Sequence, residues 1–154
     1  MKNLTELLEH EIKDLYSAEK QLLEVLPKMI EVASDKKLKK QLTKHHKETE
    51  VHYKRIQKIC RKMEINPGST KCNAMEGLLK ECIGFMESKP EHSVMDTGLI
   101  ACVRRIEHYE IAGYDSAYRY AKNLKLKKIR KLLKKTRNEE EKIEKKLKKL
   151  AKKS

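Results

Sequence analysis

The middle of one helical segment, residues 104–114, contains two glutamates at positions where a helix would bury apolar side chains. Apolar or small residues recur around it with helical spacing, at Leu99, Val103, Ile106 and Gly113. Such spacing marks the buried stripe of an amphipathic helix. Glu110 falls inside this stripe and Glu107 lies beside it. Because a buried carboxylate costs several kcal/mol unless it is paired, protonated or bound to a metal ion, both glutamates require a partner.

Three other segments place acidic or imidazole side chains on their apolar stripes in the same way. These side chains are Glu19 in the first segment, His45 and His52 in the second with Glu48 adjacent to the stripe, and Glu140 with Glu144 one turn later in the last. A single glutamate on a stripe ordinarily reaches solvent, but chance rarely produces four such segments. Converging carboxylates cannot all stay ionised without a cation, and two bridged divalent ions would neutralise them. These residues therefore predict a dinuclear metal site.

Composition and periodicity predict that helices carry these residues. Charged residues make up 39% and hydrophobic residues 38% of the 154 residues, with only five Gly and three Pro, a composition typical of helical proteins. The apolar spacing predicts helices at residues 4–33, 36–64, 93–122 and 125–152, and a short helix at 72–87 inside a long connection, 65–95. Pro27 predicts a kink or a local break in the first helix.

Short turns near residues 34 and 124 would make the first two and the last two long helices antiparallel hairpins. Reflection about these turns places Glu19 opposite about residue 49 and Glu107 opposite about residue 141. The polar residues of each hairpin would then meet near mid-length. Two hairpins joined by a long crossover form an all-α, ferritin-like four-helix bundle. Since no linker is long enough to divide domains, residues 1–154 are predicted to form a single domain.

The positive charge of the chain is concentrated in its last helix. The formal net charge is +14, and residues 122–153 contain 16 Lys or Arg against four Glu. Such a helix is most simply a well-solvated face, but it also attracts polyanions. This leaves open an alternative function: a metal-free helical interaction module whose basic C-terminal helix binds nucleic acid or other polyanions weakly.

Membrane and export signals are not found in the sequence. It has no segment of about 18 apolar residues, and its N-terminus begins an amphipathic helix without the apolar run of a signal peptide. We therefore expect a cytoplasmic protein that does not enter the membrane. The four cysteines show no CxxC spacing and are expected to be buried thiols: Cys60, Cys72, Cys82 and Cys102.

Several motifs resemble the YciF family of bacterial ferritin-like stress proteins, and together they span nearly the whole chain. The most specific is EHYEIAGY at residues 107–114, and the others lie at residues 11–21, 26–29, 45–49 and 72–78. The resemblance implies a rubrerythrin-like helical bundle that forms homodimers and holds a di-iron centre. On this basis we hypothesise a stress-response protein whose centre oxidises Fe(II) with dioxygen or reduces peroxide. Whether the chain is an enzyme of this oxidase or peroxidase kind is left open.

The polar residues depart from the usual ferritin pattern, in which two helices carry Glu-x-x-His. The second helix carries His45-x-x-Glu48 and Glu48-x-x-x-His52, and the last carries Glu140-x-x-x-Glu144 without a histidine. An oxygen-rich site suits Mn as well as Fe. We therefore expect two iron ions as cofactors, with manganese as the alternative.

Other side chains receive supporting roles in this hypothesis. His45 or His52 would be a ligand or a proton shuttle, and Tyr16 and Tyr109 would supply a hydrogen bond or an electron. Glu76, which belongs to one of the resembling motifs but lies in the crossover, would support the site or the packing of the helices.

Overall fold

The protein is described by a computed structural model that covers residues 1–152. Five helices follow one another: α1 (Leu4–Val32), α2 (Lys36–Met63), α3 (Asn73–Glu87), α4 (His92–Asn123) and α5 (Lys127–Ala151). No strand occurs within residues 1–152, which confirms the all-α prediction. The predicted end of the last helix at residue 152 is one residue too long, and the final two residues of the predicted domain lie outside the described part.

Helix boundaries follow from local chemistry. The side chains of Asn3 and Asp35 cap α1 and α2 by accepting hydrogen bonds from the backbone N–H groups of Glu6 and Leu38. Lys125 adopts a left-handed conformation, with φ of 59°, so α5 begins two residues later than predicted. At Pro27 the predicted local break does not occur: α1 is continuous, because its flanking turns are buried in the core.

The four long helices form an antiparallel bundle. Going around it, α1 contacts α2, α2 contacts α5, α5 contacts α4, and α4 returns to α1. α3 belongs to the crossover and packs outside this square against α1 and α4. The carboxylate of Asp96, near the start of α4, accepts hydrogen bonds from the backbone N–H groups of Ser34 and Asp35. The crossover therefore travels the length of the bundle, as predicted for the ferritin-like topology.

A layer of polar side chains divides the hydrophobic core. We call "the polar layer" the six residues Glu19, His45, His52, Glu107, Glu110 and Glu140, all at most 1% exposed. The first apolar cluster, which includes Leu22, Leu38, Leu99 and Ile143, lies on the side of the α1–α2 turn. The second, which includes Leu8, Ile56, Tyr114 and Leu133, lies on the side of the α4–α5 turn. Each long helix thus contributes apolar residues to both clusters and polar residues between them.

The crossover helix approaches α4 very closely at Gly98. A Cβ atom added to Gly98 would lie 2.1 Å from Cζ of Phe85, so any side chain there would collide with the ring. The absence of a side chain lets α3 seat Phe85 directly on the backbone of α4. Within residues 1–152, no helix is apolar over a stretch long enough to cross a bilayer.

Candidate metal centre

The polar layer brings together acidic and imidazole groups from all four long helices. One ligand atom from each of Glu19, His52 and Glu140 lies within 4.8 Å of the other two, and the same holds for His45, Glu107 and Glu140. Glu140 belongs to both groups and therefore stands between them. Six buried, ionisable side chains in one layer are unusual for an apolar core, where buried charged groups are ordinarily paired.

The contacts within the layer are short but do not form hydrogen bonds. Nε2 of His45 lies 2.8 Å from Oε1 of Glu107, and Nδ1 of His52 lies 2.6 Å from Oε1 of Glu140. These atoms nevertheless lack a hydrogen-bond partner with acceptable angles. Both carboxylate oxygens of Glu107, Glu110 and Glu140 are likewise buried and unpartnered. The nitrogen and oxygen atoms of these side chains therefore lie close together without donating hydrogen bonds to one another.

The ionisation of the layer reflects its burial. Loss of solvation raises the pKa of Glu19 and Glu140 to about 7 and that of Glu107 to about 8. The pKa of Glu110 is raised further, by burial and by the carboxylates of Glu19, Glu140 and Glu107. Without a cation, the layer must therefore keep protons on carboxylic acids near neutral pH.

The pKa values of the two histidines shift in opposite directions, although burial acts on both in the same way. Burial lowers the pKa of His45, so its imidazole tends to stay neutral. Burial also opposes protonation of His52, but the carboxylates of Glu140, Glu139 and Glu19 outweigh it and raise its pKa to about 11. Each imidazole lies within 3 Å of a carboxylate of the layer.

A chain of polar contacts orients His52. Its Nε2 lies 3.0 Å from Oε2 of Glu139, and that oxygen also accepts a hydrogen bond of 2.6 Å from Nη1 of Arg55. Arg55 in turn donates to Oγ1 of Thr136. When Nε2 carries its proton toward Glu139, Nδ1 presents a lone pair to Glu19 and Glu140. A carboxylate behind the imidazole is the usual support of a metal-binding histidine.

Two further side chains hold the layer in place. The buried hydroxyl of Tyr114 donates a 2.5 Å hydrogen bond to Oε1 of Glu19, which leaves Oε2 without a partner. The hydroxyl of Thr49 donates to the backbone carbonyl of His45 and lies 3.5 Å from Nδ1 of its ring. Both contacts restrict the rotamers of residues whose remaining atoms face the other members of the layer.

Two of the eight predicted ligands lie outside the layer. Glu48 sits at its margin, with a side chain 31% exposed: Oε1 is 3.7 Å from Nζ of Lys44, and Oε2 is buried without a partner. Glu144 is not brought into the layer. Its Oε1 accepts from Nε and Nη2 of Arg104, at 2.9 and 2.7 Å, because the side chain turns toward α4 at the edge of the bundle. The other six predicted residues do converge.

The supporting residues differ from those predicted. Tyr16 is hydrogen-bonded to Tyr53, and Tyr109 to Asp14 and Cys72, so neither hydroxyl bonds a carboxylate of the polar layer. Glu76 forms an exposed ion pair with Lys71 in place of a supporting or packing role.

The sequence analysis did not predict three residues that support the polar layer: Tyr114, Glu139 and Arg55. Two of them had sequence signals: Tyr114 follows Glu110 by one turn on the same stripe, and Arg55 follows His52 by three residues. Glu139 had none, because it lies one position before Glu140, off the apolar stripe of its helix.

The chain is similar to proteins of known structure over nearly its whole length. It matches the model of a family described as a domain of unknown function, DUF892, over residues 3–154. It is 38% identical to protein YciF of Escherichia coli strain K12 over 141 residues, which cover 91% of this chain and 85% of that protein.

The fold is also similar to those of three solved structures. The crystal structure of the E. coli stress protein YciF matches with a TM-score of 0.94, over 98% of this chain and 96% of that one. YcfI from Rhodopseudomonas palustris, 33% identical, matches with a TM-score of 0.92 over 96% and 94% of the two chains. A protein of Xanthomonas campestris, 15% identical, shares the fold, with a TM-score of 0.79 over 97% and 92%. The resemblance seen in the motifs is confirmed, and the chain belongs to the DUF892 family, as a relative of the stress protein YciF.

Proposed function

We propose that the polar layer binds two divalent metal ions, iron first and manganese as the alternative, and supports oxidation of Fe(II) or reduction of peroxide. The observation that carries this proposal is the set of buried carboxylate and imidazole atoms that approach within 3 Å yet form no hydrogen bonds. Groups arranged only for stability would be paired with one another or replaced by apolar residues.

The donor set fits such metals. Glu19 and His52 would hold one ion, His45 and Glu107 the other, and Glu140 would serve both, since it belongs to both groups. Glu110, with both oxygens unpartnered, would complete the set, and Glu48 would add an oxygen from the margin. Two imidazoles among several carboxylates suit Fe(II) and Mn(II) better than softer metals, which prefer thiolates.

The chain's own residues would prepare the site for redox chemistry. A pair of redox-active ions, when bound, would supply the electrons for reaction with dioxygen or peroxide. Glu139 and Arg55 would keep the imidazole of His52 turned toward the site, and Tyr114 would keep Glu19 in one rotamer. The apolar clusters on both sides would limit the access of water.

Metal content tests the proposal directly. Anaerobic loading with Fe(II), followed by desalting and elemental analysis, should give two ions per chain, as in other dinuclear carboxylate bundles. Glu76→Gln, which alters only an exposed ion pair, serves as a control and should bind as much metal as the wild type. Less than about half an equivalent with Fe(II), and again with Mn(II), would overturn the proposal. Stopped-flow absorbance after mixing the loaded protein with peroxide or with dioxygen would then identify the oxidant.

A specific surface feature favours the second function, binding of polyanions. Five exposed lysines of α2 line one shallow groove: Lys36, Lys39, Lys40, Lys44 and Lys47. Lys146 of α5 lies beside Lys44, whose proximity lowers the pKa of Lys146. The basic surface therefore extends from α5 onto α2, and both helices would contribute to weak binding of nucleic acid.

Homodimer formation and a cytoplasmic location stay predictions of the family resemblance and of the sequence. Light scattering of the purified chain would measure the assembly, with a mass twice that of the 18.1 kDa chain expected.

A further inference from the structure

The four cysteines of the chain are free and buried, but their surroundings differ. Cys60 belongs to the second apolar cluster, and the thiol of Cys72 is engaged by Asp14 and Tyr109. Cys82 on α3 and Cys102 on α4 both belong to the first apolar cluster, on two helices that pack together. These two thiols play no part in the proposed metal site.

The register between α3 and α4 places Cys82 opposite Cys102. At one end of α3, Sγ of Cys72 lies 3.0 Å from the hydroxyl of Tyr109. At the other end, Phe85 rests on Gly98. Residue numbers rise along α3 as they fall along α4, so a position three residues before Phe85 faces one about a turn after Gly98. This register sets the two thiols against each other, close enough for each to change the pKa of the other.

The two thiols are unequal. The neighbouring thiol of Cys82 and the nearby guanidinium of Arg105 lower the pKa of Cys102 to about 7, against the effect of burial. Burial instead raises the pKa of Cys60 and Cys72. Cys102 also keeps 9% of its surface exposed, whereas Cys82 has none. One thiol of the pair is therefore suited to attack a small oxidant, and the other is positioned to react next.

We propose that Cys82 and Cys102 form an oxidation-sensitive dithiol, which hydroperoxides convert into a disulfide between α3 and α4. The thiolate of Cys102 attacks one peroxide oxygen, the O–O bond breaks, and the leaving oxygen takes a proton and departs as water or an alcohol. The resulting sulfenic acid is attacked by the sulfur of Cys82. A sulfur–sulfur bond forms as the sulfenic oxygen leaves with the proton of Cys82 as a second water.

The experiment uses the full chain, freed of metal by a chelator, so its outcome does not depend on the proposed metal function. Native protein is treated with hydrogen peroxide, quenched with catalase, denatured and alkylated, and then digested without reductant for mass spectrometry. We expect two of the four thiols to be lost and one cross-linked pair of peptides, containing Cys82 and Cys102. Four surviving thiols, at an exposure that oxidises the same concentration of free cysteine, would overturn the proposal. A cross-link that includes Cys60 or Cys72 would overturn it too.

Single substitutions distinguish the thiol that attacks peroxide, Cys102, from the thiol that then forms the disulfide, Cys82. In Cys82→Ser the reaction should stop at a sulfenic acid on Cys102, which dimedone traps, and in Cys102→Ser the thiol of Cys82 should survive. Cys60→Ser is the matched control and should cross-link as the wild type does. Equal dimedone labelling of Cys60 and Cys102 in Cys82→Ser would contradict the assignment. Should a serine variant fail to fold, the peptide map of the wild type decides.

Discussion

At the scale of single residues, Glu110 is the group whose surroundings are hardest to explain without a cation. It is fully buried, neither of its oxygens has a hydrogen-bond partner, and three carboxylates of the polar layer raise its pKa. A residue of this kind destabilises the fold unless something else requires it. Its replacement therefore separates a structural role from a metal-binding one.

Glu110→Gln should leave the metal-free protein as stable as the wild type or more stable, because the amide removes a group that must stay protonated. Saturating Fe(II) or Mn(II), near one hundred times the dissociation constant, should raise the Tm of the wild type by roughly 5–10 °C. The mutant should lose most of this gain. Thermal melting with and without metal measures both effects.

Glu144→Gln is the matched control for that experiment. This carboxylate lies one turn from Glu140 and is paired with Arg104 outside the polar layer. It should lower the Tm of the metal-free protein slightly and keep the full gain from metal. A Glu110→Gln protein that is clearly less stable than the wild type but retains the metal gain would show that Glu110 is an ordinary structural residue.

The metal-free protein should lose stability as the pH rises from about 5 to about 8. Glu19, Glu140 and Glu107 have pKa values of about 7, 7 and 8 in the folded state, against 4.5 when exposed. In this window the folded state holds more protons than the unfolded state, so unfolding releases protons and is favoured at higher pH. His52, with its raised pKa, acts in the same direction above about 6.5.

Bound metal should reverse this trend, because it binds the ionised carboxylates of the folded state and releases their protons. Urea unfolding at a series of pH values, with chelator or with Mn(II), checks the sign. A metal-free protein whose stability rises steadily between pH 5 and 8 would show that the carboxylates of the polar layer are stabilised by partners as anions.

At the level of helices, the contact between α3 and α4 leaves no room for a side chain at Gly98. Gly98→Ala would put a methyl group where the ring of Phe85 now lies, so either the ring or α3 must move. We expect a loss of about 1–3 kcal/mol in the free energy of unfolding, the usual effect of overpacking a core. Chemical denaturation of the purified variant measures it.

Gly84→Ala is a control on the same pair of helices. A Cβ there meets no atom within 4 Å, and the residue lies inside α3. Alanine should stabilise this helix by about 0.5–1 kcal/mol. If both alanine variants were equally stable, the close approach of α3 to α4 would be disproved.

At the scale of the whole molecule, charge separates the surface from the interior: lysines cover α2 and α5, while acids occupy the bundle's centre. We predict weak binding of duplex DNA without sequence preference, detectable at ~50 mM salt and falling steeply as salt increases. Changing the five lysines of the α2 groove to glutamine should clearly weaken retardation in gel shifts, while α5 keeps part of the binding.

A control variant distinguishes whether DNA binding depends on the position of the lysines or only on the net charge of the protein. It replaces five exposed basic residues that lie away from the groove and outside α2 and α5, namely Lys2, Lys20, Lys71, Lys80 and Arg105. If binding depends on the basic surface of α2 and α5, this variant should bind nearly as well as the wild type. Equal loss in both variants would mean that only net charge matters, and no retardation of the wild type would remove nucleic acid from its functions.

The helices, their antiparallel hairpins and the height in the bundle at which the polar residues meet could all be predicted from the sequence. These depend on local properties: the spacing of Leu99, Val103 and Ile106, the breakers at Asn66-Pro67-Gly68, and turns too short to allow parallel neighbours. An error of a residue or two at a helix end leaves that height unchanged. The convergence of six of the eight candidate ligands could therefore be predicted, and the binding of metal by them stays a prediction.

Which side chains touch depends on how the four helices pack, so these contacts could be read only from the three-dimensional structure. Glu144 and Glu140 share one stripe, yet Glu140 faces the polar layer and Glu144 turns to Arg104. Tyr114 rather than Tyr16 or Tyr109 holds a carboxylate of the layer, and Glu139 supports His52 from a position the periodicity did not single out. The physical reason is that an apolar stripe spans about 100° of a helix, wide enough for neighbouring turns to point at different partners. The side chains of three other helices determine which partner each one meets.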